Sequence, residues 1–283
     1  APASQLVRRI MKYAMPVALG SIVVPLISMI DSFTLPRLLA VSYGLTESEA
    51  LHEFGIYARG LPLVQLVAML FGAMSTALVP ALANANTLGD DALVRRRAVI
   101  SLRFTWLIGL AASAGLAAVS LPVNVMLYTD SSGTLTMAVI AWTALFSSLN
   151  VISAALLQGI GLEKLPALHL LLAAAVKIMF NIALIPFIGI AGAACSGLAA
   201  FAVASLLNIR ALKQHIGVGL RISHELKQAL PATVAMLAVI AIFYGGVAVL
   251  GIVLGVEPSG RLWNTAQALL MIAAGALVFT AAA

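Results

Sequence analysis

Apolar residues run along this chain in stretches of about twenty, the length that crosses the hydrocarbon of a bilayer as a helix. Short polar knots separate the runs. The pattern predicts about eight transmembrane helices, roughly Tyr13–Leu39, Gly55–Ala83, Val99–Leu121, Thr134–Ile160, Leu165–Phe187, Ile190–Leu212, Leu230–Leu254 and Leu262–Ala283. "TESEALHE" (Thr46–Glu53) connects the first pair and "NANTLGDDALVRRR" (Asn84–Arg97) the second, followed by "YTDSSG", "IGLEK" and the tight "FIGIAG". "RALKQHIGVGLRISHELKQ" (Arg210–Gln228) and "GVEPSG" complete the set, with Ser223–Gln228 read as an interfacial helix turn. No connection is long enough for a soluble domain. Pro and Gly inside the runs do not argue against helix, because membrane helices tolerate both. The fold class is all-α, polytopic and membrane-spanning.

Composition agrees. The chain is 62% hydrophobic and 9% charged, whereas a soluble domain carries about 25% charge. The net charge of +6 could suggest nucleic acid, but its distribution points to topology. Arg8, Arg9, Lys12, Arg95, Arg96, Arg97, Arg103, Lys164, Arg210, Lys213, Arg221 and Lys227 fall in one set of connections. Arg37, Arg59 and Arg261 fall in the alternate set, and Lys177 lies inside a span. Basic connections stay in the cytoplasm, so the N-terminus of this segment is expected inside and an even span count returns the C-terminus there. A missed or invented span would break the alternation. The segment before Pro16 has basic residues, but the apolar run after it is too long for a signal peptide and has no cleavage site; it reads as an amphipathic lead into a span. The last span ends at "LVFTAAA" without a basic anchor, and both ends read as cuts in something larger. Cys195 stands alone, so no disulfide forms within the chain.

No catalytic set is legible, and no metal, nucleotide or dinucleotide motif appears. His52, His169, His215 and His224 are scattered, those outside the spans in connections. Neither enzyme activity nor a cofactor is expected. Ionisable residues within spans are costly and point to function. Lys177 lies about 12 residues, roughly 18 Å, from Leu165, deep in "HLLLAAAVKIMFNIALIPF", with Asn181 one turn on along the same face. It either pairs inside the bundle or lines a hydrated cavity. Asp31 and Arg37 interrupt "ISMIDSFTLPRLL" (Ile27–Leu39), six residues apart and hence on different faces of a regular helix. Bending at Pro16, Pro25 or Pro36 could turn both to one cavity. Otherwise Arg37 anchors the interface and Asp31 pairs with Lys177. Arg59 and Gln65 open the second span, Arg59 as a cavity group or an interfacial anchor. Arg37, Arg59 and Lys177 against Asp31 predict a cationic cavity suited to an anionic substrate, since guanidinium matches phosphate oxygens.

The order "RRIMKYAMPVALGSIVVPLISMIDSFTLPRLL", "YGLTESEA", "FGIYARGLPLVQLVAMLFGAMSTALVPALANA" resembles the seventh and eighth spans of the polysaccharide-transporter branch of the MOP flippase superfamily. The likeness is to the stage V sporulation protein B-like group, related to the MurJ-type lipid II flippases. "LLQGIGLEKLPALHLLLAAAVKIMFNIALIPFIGIAGAACSGLAAF" looks like the tenth to twelfth spans through Gln158-Gly159, the Lys177/Asn181 pair and Gly189–Ala194. The resemblance covers Val7 to Leu212. It implies that residues 1–216 form the C-terminal six-helix lobe of a 14-span transporter and 217–283 two additional helices. It also implies a missing N-terminal six-helix lobe as partner, together with membrane lipids and a lipid-linked saccharide or peptidoglycan precursor moved across the cytoplasmic membrane by alternating access. Arg59 falls where such proteins carry a cavity arginine. Gly245, Gly246, Gly251 and Gly255 either make a groove for the lipid tail or serve helix packing. Two rival readings are a cation-coupled multidrug antiporter of the MATE branch, which shares the fold, and a non-transporting membrane scaffold.

Overall fold

The computed structural model describes residues 29–220, 222–254 and 260–282. Apart from short turns and connections they are helical, without strands among them. Helix α1 covers 29–43, followed by α2 (Glu47–Ala58), α3 (Leu61–Thr87), α4 (Asp91–Ala118) and α5 (Ser120–Tyr128). Then come α6 (Thr134–Gly159), α7 (Lys164–Ile188), α8 (Ile190–Ile216), α9 (Ile222–Leu254) and α10 (Arg261–Ala282). Seven stretches among the described residues are long and apolar enough to cross a membrane: Glu47–Thr87, Asp91–Ala118, Thr134–Gly159, Lys164–Ile188, Ile190–Ile216, Lys227–Gly246 and Arg261–Ala282. The first expected span, Tyr13–Leu39, lies largely outside the described residues, as do Arg8, Arg9, Lys12, Pro16, Pro25, Arg221, Gly255 and Glu257. Leu66, Met69, Met179, Ile182 and Phe187 are all more than half exposed, a surface that water would not tolerate and lipid does. The protein is a polytopic membrane protein.

Several expected connections are helical. "TESE" is a capping box: the Thr46 N–H donates to Glu49 Oε2 at 2.8 Å while the Thr46 hydroxyl caps the Glu49 N–H, so α2 starts inside the stretch read as a loop. Gly60 and Pro62 then separate α2 from α3 within the single apolar stretch Glu47–Thr87, which holds the expected span Gly55–Ala83. Asp90 accepts from the Leu93 N–H at 2.9 Å and starts α4, placing Arg95–Arg97 on a helix. The third span ends at Ala118, and α5 follows as a separate short helix. Ser223–Gln228 is no separate turn; it belongs to α9. His52 and His215 sit on α2 and α8.

The most buried helix, α6, packs against α3, α4 and α8, while α7 packs chiefly on α8. Two of the resulting apolar cores bear on the site. One joins Leu82 (α3), Ala98 and Leu102 (α4), Leu156 (α6) and Leu212 (α8). The other joins Leu35 and Leu39 (α1), Tyr57 (α2), Ile140 (α6), Ile185 (α7) and Ala193 (α8). The α7–α8 hairpin turns at Gly189 (φ +57°) and closes at Gly192, where an added Cβ would lie 2.7 Å from the Leu184 carbonyl carbon. Helices α9 and α10 pack on each other and on α4 and α5 through Ala111, Ala114, Val123, Met236, Ala268 and Met271. An ion pair, Arg103 Nε to Glu225 Oε1 at 2.9 Å, also ties α9 to α4.

Candidate functional site: a cavity walled by a buried ion pair

A cavity of about 490 Å³ lies between the two cores. Its walls come from α3 (Val64, Gln65, Ala68, Met69, Gly72), α6 (Ile140, Thr143, Ser147, Asn150), α8 (Ala194, Gly197, Phe201), Asp31, Tyr57 and Lys177. Gln65 and Met69 are exposed, so the α3 side is open.

The wall opposite is closed by a buried charge cluster. Lys177 Nζ donates to Asp31 Oδ2 at 2.6 Å. Both side chains are 4% exposed. Tyr57 donates its hydroxyl to the same oxygen at 2.6 Å. Asn181 Nδ2 donates to Asp31 Oδ1 at 3.2 Å and to Thr34 Oγ1 at 2.8 Å. Ser196 Oγ donates to Asn181 Oδ1 from α8. Each element contributes by its period. Asp31 and Thr34 share one face of α1, Lys177 and Asn181 one face of α7. Gly197 faces the lysine: an added Cβ there would stand in ordinary contact, 3.8 Å from Nζ. A buried ion pair withstands desolvation only when its remaining lone pairs and protons find partners; here the carboxylate has three donors.

The expected site residues therefore divide. Asp31, Lys177 and Asn181 come together, Asn181 fully buried against Asp31; Asp31, Lys177 and Gln65 line the cavity. Arg37 does not. Helix α1 continues through Pro36, and Arg37 faces a second, separate cavity of about 330 Å³ with Ser32, Phe33, Glu47 and Leu51. Nor does Arg59 line the main cavity. It stands at the α2–α3 joint, where its guanidinium grips Asp130 with two bonds of 2.7 and 3.0 Å and lies 4.9 Å from the Tyr128 ring. The Asp130 carboxyl is held well below the usual carboxylate range, first by Arg59 and then by the Ser132 N–H. The described residues do not gather these cations in one cavity: Lys177 is paired with Asp31, Arg59 is engaged by Asp130 outside the cavity, and Arg37 faces the second one. The lining is otherwise hydroxyls, carboxamides and apolar groups.

Tyr57, Thr34 and Ser196 were missed. Tyr57 stood in the quoted "FGIYARG", but one hydroxyl beside an arginine gives no signal until the α2–α3 break turns it inward. Gly245 and Gly246 face open space, whereas a Cβ added at Gly275 would meet Ile240 and Met236 at 3.2–3.3 Å, so Gly275 allows the close α9–α10 approach. Among the described residues, no group of three or more His, Cys, Asp or Glu side chains could hold a metal.

No protein-family model matches the chain. Over 210 residues, 74% of its length, the chain is 33% identical to a Bacillus subtilis (strain 168) protein named "Uncharacterized membrane protein YabM", covering 39% of that protein. Over 271 residues, 94% of its length, it is 23% identical to "Lipid II flippase MurJ" of the same organism, covering 48%. The chain spans less than half the length of these curated relatives, each of which is a membrane protein or a flippase by its printed name.

Proposed function

We propose that the chain is one lobe, with two further helices, of a flippase that moves a lipid-linked saccharide such as a peptidoglycan precursor across the cytoplasmic membrane by alternating access. The observation that carries this reading is the cavity: a side-open space of about 490 Å³ inside a lipid-embedded bundle, with polar groups on its walls. A scaffold has no use for such a space. The similarity to a lipid II flippase supports the substrate class. The case for an anionic head group rests on that similarity, because the paired Lys177 gives the cavity no net charge. In this reading Asp31, Lys177 and Gln65 face the translocation path, with Asn181 buried against Asp31. Arg59 stands outside the cavity at the α2–α3 joint, and Arg37 by the second cavity. The partner is an N-terminal six-helix lobe, the basic connections face the cytoplasm, and the lipid tail stays in the bilayer.

The test is transport by the full-length protein in liposomes containing a fluorescent polyprenyl-diphosphate disaccharide, read by a membrane-impermeant quencher. Wild type should speed equilibration between leaflets, and Lys177→Met should abolish it at equal reconstitution. No acceleration, together with cation-driven uptake of a cationic dye, would favour a multidrug antiporter instead.

A further inference from the structure

Thr143, Ser147 and Asn150 recur at helical spacing on one face of α6, and all three line the cavity. Asn150 differs in being held from behind. Its Oδ1 accepts from Asn208 Nδ2 on α8 at 3.1 Å. The Oδ1 of Asn208 accepts in turn from the Nδ1–H of His169 on α7, at 2.7 Å. Asn208 is fully buried, Asn150 is 7% exposed, and His169 is half-buried. A hydrogen-bonded chain therefore crosses three helices, from the imidazole to the cavity wall.

Such a chain has a direction. A carboxamide carries an acceptor at one end and donors at the other, so each link fixes the next. A ring that donates at Nδ1 meets Asn208 Oδ1, which aims Asn208 Nδ2 at Asn150 Oδ1. Asn150 Nδ2 is then left toward the cavity, with no hydrogen-bond partner among the described residues. A ring bare at Nδ1 would reverse both carboxamides and present an acceptor instead.

We propose that Asn150 is a substrate-binding residue whose Nδ2 donates to a neutral oxygen of the saccharide head group, an acetamido carbonyl or a sugar hydroxyl, with Asn208 and His169 as positioning residues that hold this donor outward. The identity of the oxygen rests on the saccharide reading above; the outward donor does not. The hydroxyls of Thr143 and Ser147, two turns and one turn away, extend the same neutral wall. A pre-oriented donor in a desolvated wall selects strongly, because a ligand lacking the matching oxygen leaves it unpaired.

Two measurements test this. The first is 15N NMR of histidine-labelled full-length protein in lipid nanodiscs, with the His169 signal assigned by its loss in His169→Asn. A protonated Nδ1 is expected; a bare Nδ1 would overturn the proposal. The second is the KM for the fluorescent disaccharide lipid. His169→Asn keeps a donor where Nδ1 stood and should leave KM near wild type. His169→Asp puts an acceptor there, reverses both carboxamides and should raise KM by about three- to tenfold, the loss of one hydrogen bond, with kcat little changed. Equal KM values in the two variants would sink the idea. If wild type flips no saccharide lipid, the saccharide reading falls and takes the identity of the oxygen with it, while the NMR result still decides the donor's direction.

Discussion

Removing Asp31 or Lys177 singly strands the other charge in a site that is 3% exposed, and breaking a buried pair in this way costs about 3–5 kcal/mol. Asp31→Asn and Lys177→Met should therefore each lower thermal stability in detergent, while the double variant loses less than the sum; strictly additive losses would mean that the pair is not a unit. Both charges were legible in the sequence because any charge stands out in an apolar run. Tyr57, Thr34 and Ser196 were not, because a hydroxyl is ordinary in a membrane helix and only its face reveals its partner. Arg59 teaches the converse: it was conspicuous, yet its partner Asp130 lies 71 residues on in a turn that no local pattern connects to it. If Arg59 works through that clasp, Arg59→Ala and Asp130→Ala should impair transport alike. If it touches substrate itself, Asp130→Ala should be the milder. The pH dependence has a definite sign. Since Asp130 is held below its ordinary value of 3.8, the clasp contributes above that value and weakens only as pH falls through the lower, folded value. The melting-temperature gap between wild type and Asp130→Asn should thus persist from neutral pH to about pH 4 and shrink only in stronger acid.

Helix contacts are set by single small residues, and α7–α8 shows it most sharply. Gly192 lies with the space of its missing Cβ taken by the Leu184–Ile185 backbone. Gly192→Ala must part the two helices that carry Lys177, Asn181 and Ser196. Overpacking of this kind costs about 1–3 kcal/mol, and the melting temperature in detergent should fall, with transport affected through the displaced cluster. Gly245→Ala is the control: its Cβ would enter open space, and Ala over Gly in a helix gains up to about 1 kcal/mol, so stability should hold or rise. A loss there equal to that at Gly192 would refute this account. The spans themselves were legible because hydropathy reports them directly. Their ends were not, because polar residues were read as loops although a membrane helix that continues into water carries them on its first turns. The capping box in "TESE" and Asp90 ahead of "DALVRRR" were the available signals, and both outweigh simple polarity.

At the scale of the whole molecule, the two cores leave the cavity between them, and α9–α10 join the outside of the bundle through α4 and α5 rather than its interior. Nothing in the sequence pointed to that docking face, because Ala111, Ala114, Ala232 and Ala268 belong to the general apolar background and acquire meaning only by meeting. Orientation, by contrast, is a property of the sequence, carried by the asymmetry of basic residues, and it makes a prediction for the folded bundle. Chain direction puts Arg96 near the start of α4 and Lys213 near the end of α8, at the end of the bundle where α6 finishes and α7 begins. Ser131, in the turn before α6, lies at the opposite end. Arg96, Lys213, Ser131 and Glu47 are all exposed, so single cysteines there should fold without disturbance in a Cys195→Ala background. With basic connections retained in the cytoplasm, an impermeant thiol reagent added to intact cells should label the cysteines at Ser131 and Glu47. Those at Arg96 and Lys213 should react only after the membrane is opened. Labelling at Arg96 in intact cells would turn the molecule over, and labelling of Arg96 and Ser131 alike would mean that the helices between them do not cross the bilayer as the bundle requires.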